Sequence, residues 1–191
     1  MNSLHYSLRS RLPSRQDMLL VFGLVVFSVF GWSIRGFLYK LPSFALYFGL
    51  GANLAVLSYM AAFALIESLV VTGFLILLGM LMPASWLRSG FAYKAFLIVL
   101  VMTIAMILFE GYYRADFLKD ILAGYTYMFP PFALGLAGSG LALGALLWLF
   151  RRYGRLQRYA LYALEQISLF TYIYVPLGLI GVLVVLVRNL R

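Results

Sequence analysis

From Ser43 to Met82 the chain runs for forty residues with a single charged side chain, Glu67. One helix of that length would extend about 60 Å, twice the roughly 30 Å hydrocarbon thickness of a bilayer. A run this apolar has no soluble solution unless other elements cover it on all sides, and a chain of 191 residues has few to spare. The run is therefore expected to fold back inside a membrane, and the Glu67-Ser68 pair near its middle is the natural point of reversal. That reading gives two helices, over 43–65 and 68–83, the second ended by Pro83.

Similar runs flank it. Met18 to Ile34 is apolar and bounded by Asp17 and Arg35, with Trp32 and Tyr39 where an interfacial aromatic belt would hold them, so the first span is expected over 18–38. Pro42 is expected to interrupt the chain. Further spans are expected over 95–112, 131–150 and 164–187, with Pro176 kinking the last. Residues 113–120 (YRADFLKD) read as a hydrated loop, followed by a short surface or re-entrant helix that ends at Pro130-Pro131. The expected fold is an all-α polytopic integral membrane protein with six transmembrane helices. The alternative is five crossings plus a re-entrant N-terminal segment. Residues 1–17 form a basic amphipathic tail, and 18–191 a single transmembrane helical domain.

Composition agrees and removes many activities. Hydrophobic residues make up 64% of the chain and charged ones 11%, against about 45–50% and about 25% in soluble domains. There is no cysteine, hence no disulfide framework, thiolate metal site or cysteine nucleophile. The one histidine, His5, lies in the N-terminal tail, away from the apolar runs. Imidazole-dependent haem, zinc and triad chemistry has no partner within the membrane. Ala137-Gly138-Ser139-Gly140 departs from the Gly-x-Ser-Gly turn of rhomboid-type intramembrane proteases, and no histidine follows it. No catalytic residue, metal site or cofactor is assigned, and the chain is expected not to be an enzyme.

The net charge of +9 comes from basic residues between apolar runs. That is the pattern of span flanks meeting anionic headgroups rather than of a nucleic-acid face. Arg151, Arg152, Arg155 and Arg158 form a compact basic connection expected to bind headgroups. Six spans divide the basic residues almost evenly, whereas a re-entrant first segment gathers most of them on one side. Both arrangements put the 151–158 loop in the cytoplasm. Compact loops and the lack of a targeting presequence point to a bacterial inner membrane.

Two kinds of feature remain as candidate sites. Small residues Gly51, Ala55, Ser58 and Ala62 share one helix face, and Gly140-x-x-x-Gly144 forms another; such faces let helices approach closely. Glu67 reads first as an interfacial turn residue capping the following helix. The second reading is an intramembrane polar site of Glu67, Ser68, Thr72 and Asn53. Tyr172 and Tyr174, beside Pro176, are candidates to line a groove for a quinone, pigment or lipid tail. The expected function is a non-catalytic accessory or scaffold subunit of a larger membrane complex, respiratory or photosynthetic for example. Its partners would be lipids and other integral membrane subunits. The alternatives are a small-molecule-binding six-helix subunit of a transporter, and a proton or ion pathway through Glu67.

Overall fold

The computed structural model describes residues 12–82, 90–123 and 129–190, with side chains up to 111 in the second stretch and from 133 in the third. Among the described residues the regular elements are six helices: α1 (Arg15–Tyr47), α2 (Leu50–Leu81), α3 (Phe91–Ala123), α4 (Phe129–Arg152), α5 (Gly154–Ser168) and α6 (Thr171–Asn189). Five are long and apolar enough to cross a bilayer: α1, α2, α3 over Phe91–Gly111, α4 over Ala133–Arg152, and α6. This is an all-α fold of the kind an integral membrane protein requires. α5, at 15 residues, is amphipathic and falls short of a span.

Helix boundaries depart from the sequence reading at six places. α1 begins at Arg15 because Ser14 caps it: the Ser14 hydroxyl accepts the Asp17 backbone N–H at 3.1 Å. It then continues through Pro42 to Tyr47. A proline inside a helix removes one ladder hydrogen bond, here at the Leu38 carbonyl. A terminus would strand about four carbonyls, a heavier cost in an apolar setting.

The reversal comes at Phe48-Gly49 rather than at Glu67-Ser68, so 43–65 and 68–83 are not separate spans. Gly49 accepts the N–H groups of Ala52 and Asn53, and the Asn53 side-chain amide donates to the Phe48 carbonyl at 3.2 Å. Glu67 and Ser68 sit inside the unbroken α2, where the Ser68 hydroxyl donates to the Ala64 carbonyl at 2.6 Å. Residues 113–120, expected as a loop, continue the α3 helix, and Pro130-Pro131 fall in the first turn of α4, where a missing N–H is tolerated. The expected span over 164–187 is divided at Leu169-Phe170 into the end of α5 and α6. Five candidate spans result, α1 among them. The expectations for 1–11, for the helix end at Pro83 and for the part of the short helix over 124–128 lie outside the described residues.

The chain divides into two compact units, Met1–Ala92 with Leu161–Arg191, and Tyr93–Ala160. In the first, α1 and α2 form an antiparallel hairpin with α6 against it. Val26 and Phe30 of α1 meet Ala61, Ala64 and Leu65 of α2, and Tyr174, Val175 and Leu177 of α6 cover that cluster. Three glycines set how closely the elements approach. A Cβ at Gly181 would stand 2.6 Å from the Ser58 carbonyl oxygen, one at Gly178 2.8 Å from the Leu65 Cβ, and one at Gly23 2.8 Å from the Ser168 Cα. With lipid as solvent, helix association depends on such close fits rather than on expulsion of water. At one end the Tyr59 hydroxyl meets the Asn189 side-chain oxygen at 3.2 Å. The α1–α2 hairpin continues past this point to a tip where Leu46, Tyr47 and Leu50 are more than 80% exposed.

In the second unit the Tyr93 and Phe150 rings stack at 6.4 Å, and the Gln157 side-chain amide donates to the Phe150 carbonyl at 2.8 Å. None of the residues in the apolar window of α4 is buried.

Candidate functional site

Glu67 stands near the centre of α2, about 25 Å from one helix end and about 21 Å from the other. A second register agrees. The uncharged stretch of α1 between Asp17 and Arg35 has its midpoint at Val26, and Val26 belongs to the cluster with Ala61, Ala64 and Leu65. Glu67 is therefore level with the middle of the neighbouring span, not in a turn at its edge.

The helical period decides which way it faces. Ala61, Leu65, Ser68, Thr72, Leu75 and Gly79 recur at steps of four and three and are buried, forming the seam of the hairpin. Glu67 lies off that seam on an exposed face, among Phe63, Ile66, Val70 and Phe74. Among the described residues nothing donates a hydrogen bond to it or forms an ion pair with it. The face is apolar apart from one carboxylate.

The four residues expected to make a polar site do not converge. Ser68 and Thr72 share the buried seam, one turn apart, while Glu67 points out of the bundle. Asn53 lies about 21 Å from Glu67 along the helix, holding the turn at Phe48. Two buried oxygens of the group, Thr72 Oγ1 and Asn53 Oδ1, have no hydrogen-bond partner among the described residues.

The small-residue faces also separate. Ser58 and Ala62 lie where Gly181 approaches α2 and Ala55 is buried, whereas Gly51 is exposed with nothing within 4 Å among the described residues. Gly140 and Gly144, the Gly-x-x-x-Gly pair, have nothing within 4 Å of a would-be Cβ. Close approach falls instead to Gly178 and Gly181, three residues apart on α6, a pair the sequence reading did not single out. The other missed residue is Lys94. It is buried within α3, its ammonium 5.7 Å from the Tyr93 ring centroid.

Tyr172 and Tyr174 do not line one groove. Tyr174 stacks on Phe30 at 5.1 Å and belongs to an aromatic cluster with Phe27 and Phe170, while Tyr172 faces outward. A shallow apolar groove of about 430 Å³ lies elsewhere on α6, lined by Leu183, Val184, Val187 and Arg188. Arg151, Arg152, Arg155 and Arg158 are all exposed, with the Arg152 guanidinium 5.6 Å from the Trp148 ring centroid. Among the described residues no cluster of three metal-ligating side chains occurs.

Comparison with known proteins returned no matching family model, no matching curated protein and no matching solved structure.

Proposed function

We propose that this chain is a non-catalytic scaffold subunit of a larger membrane complex, and that a helix of another subunit covers the face bearing Glu67. The supporting observation is the position of that carboxylate: mid-span, facing outward, with no partner among the described residues of its own chain. A charged side chain at the centre of a spanning helix costs on the order of 2.5–3.5 kcal/mol on insertion scales. A basic or hydroxylated side chain on a neighbouring subunit would offset that cost. The open Gly140–Gly144 face of α4 offers a second surface of the same kind. Membrane lipids are the remaining partners, with the 151–158 arginines toward anionic headgroups.

Five crossings also bear on orientation. Counted along the chain, five alternating crossings give Arg15, Lys94 and the four arginines of 151–158 one side among the described residues. Arg35, Lys40 and Arg188 take the other. The basic excess assigns the first side to the cytoplasm, here of a bacterial inner membrane.

The same carboxylate supports a second reading, a proton or ion step at the boundary between subunits. Affinity purification in mild detergent, with native chain, Glu67→Gln and Glu67→Leu, tests both. The scaffold reading expects other integral membrane subunits to co-purify with the native chain and to be lost with Glu67→Leu. A native chain that purifies as a lone, monodisperse monomer refutes it. Full assembly of Glu67→Gln with abolished ion flux would transfer the carboxylate to the second reading.

A further inference from the structure

α5 is held at both ends by very short connections. Only Tyr153 separates it from α4, and the junction is fixed by Tyr153 N–H to the Leu149 carbonyl, Leu156 N–H to the Tyr153 carbonyl, and the Gln157 amide to the Phe150 carbonyl. Only Leu169 and Phe170 separate it from α6, with Leu169 and Phe170 N–H groups bonded to the Gln166 and Ile167 carbonyls. If α4 and α6 both cross the bilayer, the end of one and the start of the other lie at the same surface. A 15-residue helix is about 22 Å long. Standing upright, it would carry Gly154 about 20 Å from the headgroups, yet Arg152 closes the apolar window of α4 just two residues earlier.

The two faces of α5 differ in the way a surface helix requires. Ala160 and Leu164 are buried on one side. The other exposes Arg155, Arg158, Tyr159, Tyr162, Glu165 and Gln166. Arginine with tyrosine, one acid against two bases and two more arginines at the preceding helix end, matches the chemistry of an anionic headgroup layer.

We propose that α5 lies along the bilayer surface and docks Arg155 and Arg158 on anionic phospholipid headgroups, with its apolar face turned into the protein. This rests on the membrane-spanning part of the proposed function and is independent of any partner subunit.

The cysteine-free sequence makes the geometry directly measurable by single-cysteine spin labels. Gly154 and Gly140 have open space at the Cβ position and Gln166 is exposed, so Gly154→Cys, Gln166→Cys and Gly140→Cys are mild substitutions. In bilayers containing phosphatidylglycerol, oxygen and nickel-chelate accessibility should place the labels at 154 and 166 at one headgroup depth and the label at 140 in hydrocarbon. An upright α5 would separate the first two by about 18 Å in depth and overturn the proposal. A label at 140 outside the hydrocarbon would instead overturn the crossing of α4, on which the proposal rests.

Lipid choice is read from retention of phosphatidylglycerol against phosphatidylcholine by native mass spectrometry. The Arg155→Gln/Arg158→Gln chain should retain phosphatidylglycerol about 25-fold more weakly, with phosphatidylcholine unchanged. Equal retention of the two lipids by the native chain overturns the headgroup assignment and leaves an acidic protein surface as the occupant of that face.

Discussion

Gly181→Ala isolates the closest approach in the bundle. The added methyl would stand 2.6 Å from the Ser58 carbonyl oxygen and 2.9 Å from the Ala62 nitrogen, both backbone atoms of α2. Ordinary contact begins at about 3.4 Å, so α6 must retreat from α2 by about 0.8 Å. No side-chain rotation relieves this clash. The retreat also loosens the contact of Gly178 with Leu65 one turn earlier and the stack of Tyr174 on Phe30 beyond it. Overpacking of this kind costs about 1–3 kcal/mol. Alanine returns up to about 1 kcal/mol through its better helix propensity. The expected net loss is about 1–2 kcal/mol, or roughly five- to thirty-fold in the folded-to-unfolded ratio. Tryptophan fluorescence of the purified chain, titrated with sodium dodecyl sulfate in mild detergent micelles, measures it. Gly140→Ala is the matched control, because a methyl there meets nothing within 4 Å among the described residues and should leave the isolated chain at least as stable as native, by up to about 1 kcal/mol more. Should Gly181→Ala match the native midpoint while Gly140→Ala falls, the assignment of the close interface to α6 is wrong.

Thr72→Val replaces a buried hydroxyl whose oxygen has no partner among the described residues. The isosteric change should be neutral or stabilising by up to about 1 kcal/mol in the same titration. A loss of 2 kcal/mol or more would reveal a partner for the hydroxyl. Ser14→Ala removes the cap on the Asp17 N–H and should cost about 1 kcal/mol, seen as faster amide exchange confined to the first turn of α1.

Much of this architecture was legible because lipid leaves a chain few options. Apolar runs bounded by Arg35, Pro83 or Arg151 had to be helices of near-span length, and the α4 window ends where the arginines begin. Locating the reversal in the 43–82 run was harder. A charge looks like the place where a chain leaves the membrane, so Glu67 drew the turn toward itself. Glutamate is a good helix former, though, and the serine beside it bonds back to Ala64 without breaking the ladder. The better signal was Gly49 with Asn53, a turn residue and a side chain able to hold the turn closed. Ser14-Arg15-Gln16-Asp17 was equally readable as a capping sequence. Gly178 and Gly181 were less accessible: their role depends on which face of α2 lies opposite, and spacing within a single helix does not encode that. The Gly140–Gly144 pair shows the converse, a familiar spacing with nothing against it among the described residues.

The unequal lengths within the first unit carry a mechanical consequence. α1 and α2, at 33 and 32 residues, stand about 50 Å tall, while α6, at 19, reaches about 28 Å. Lipids beside α2 thus face an apolar wall taller than that of α6, continuing toward Leu50 at the tip, whereas α1 turns basic from Arg35 onward. A membrane of uniform thickness cannot satisfy both flanks, so the annulus must swell on one side or the hairpin must lean. Either way the protein imposes a local asymmetry on its bilayer, and thicker membranes should accommodate it with less distortion.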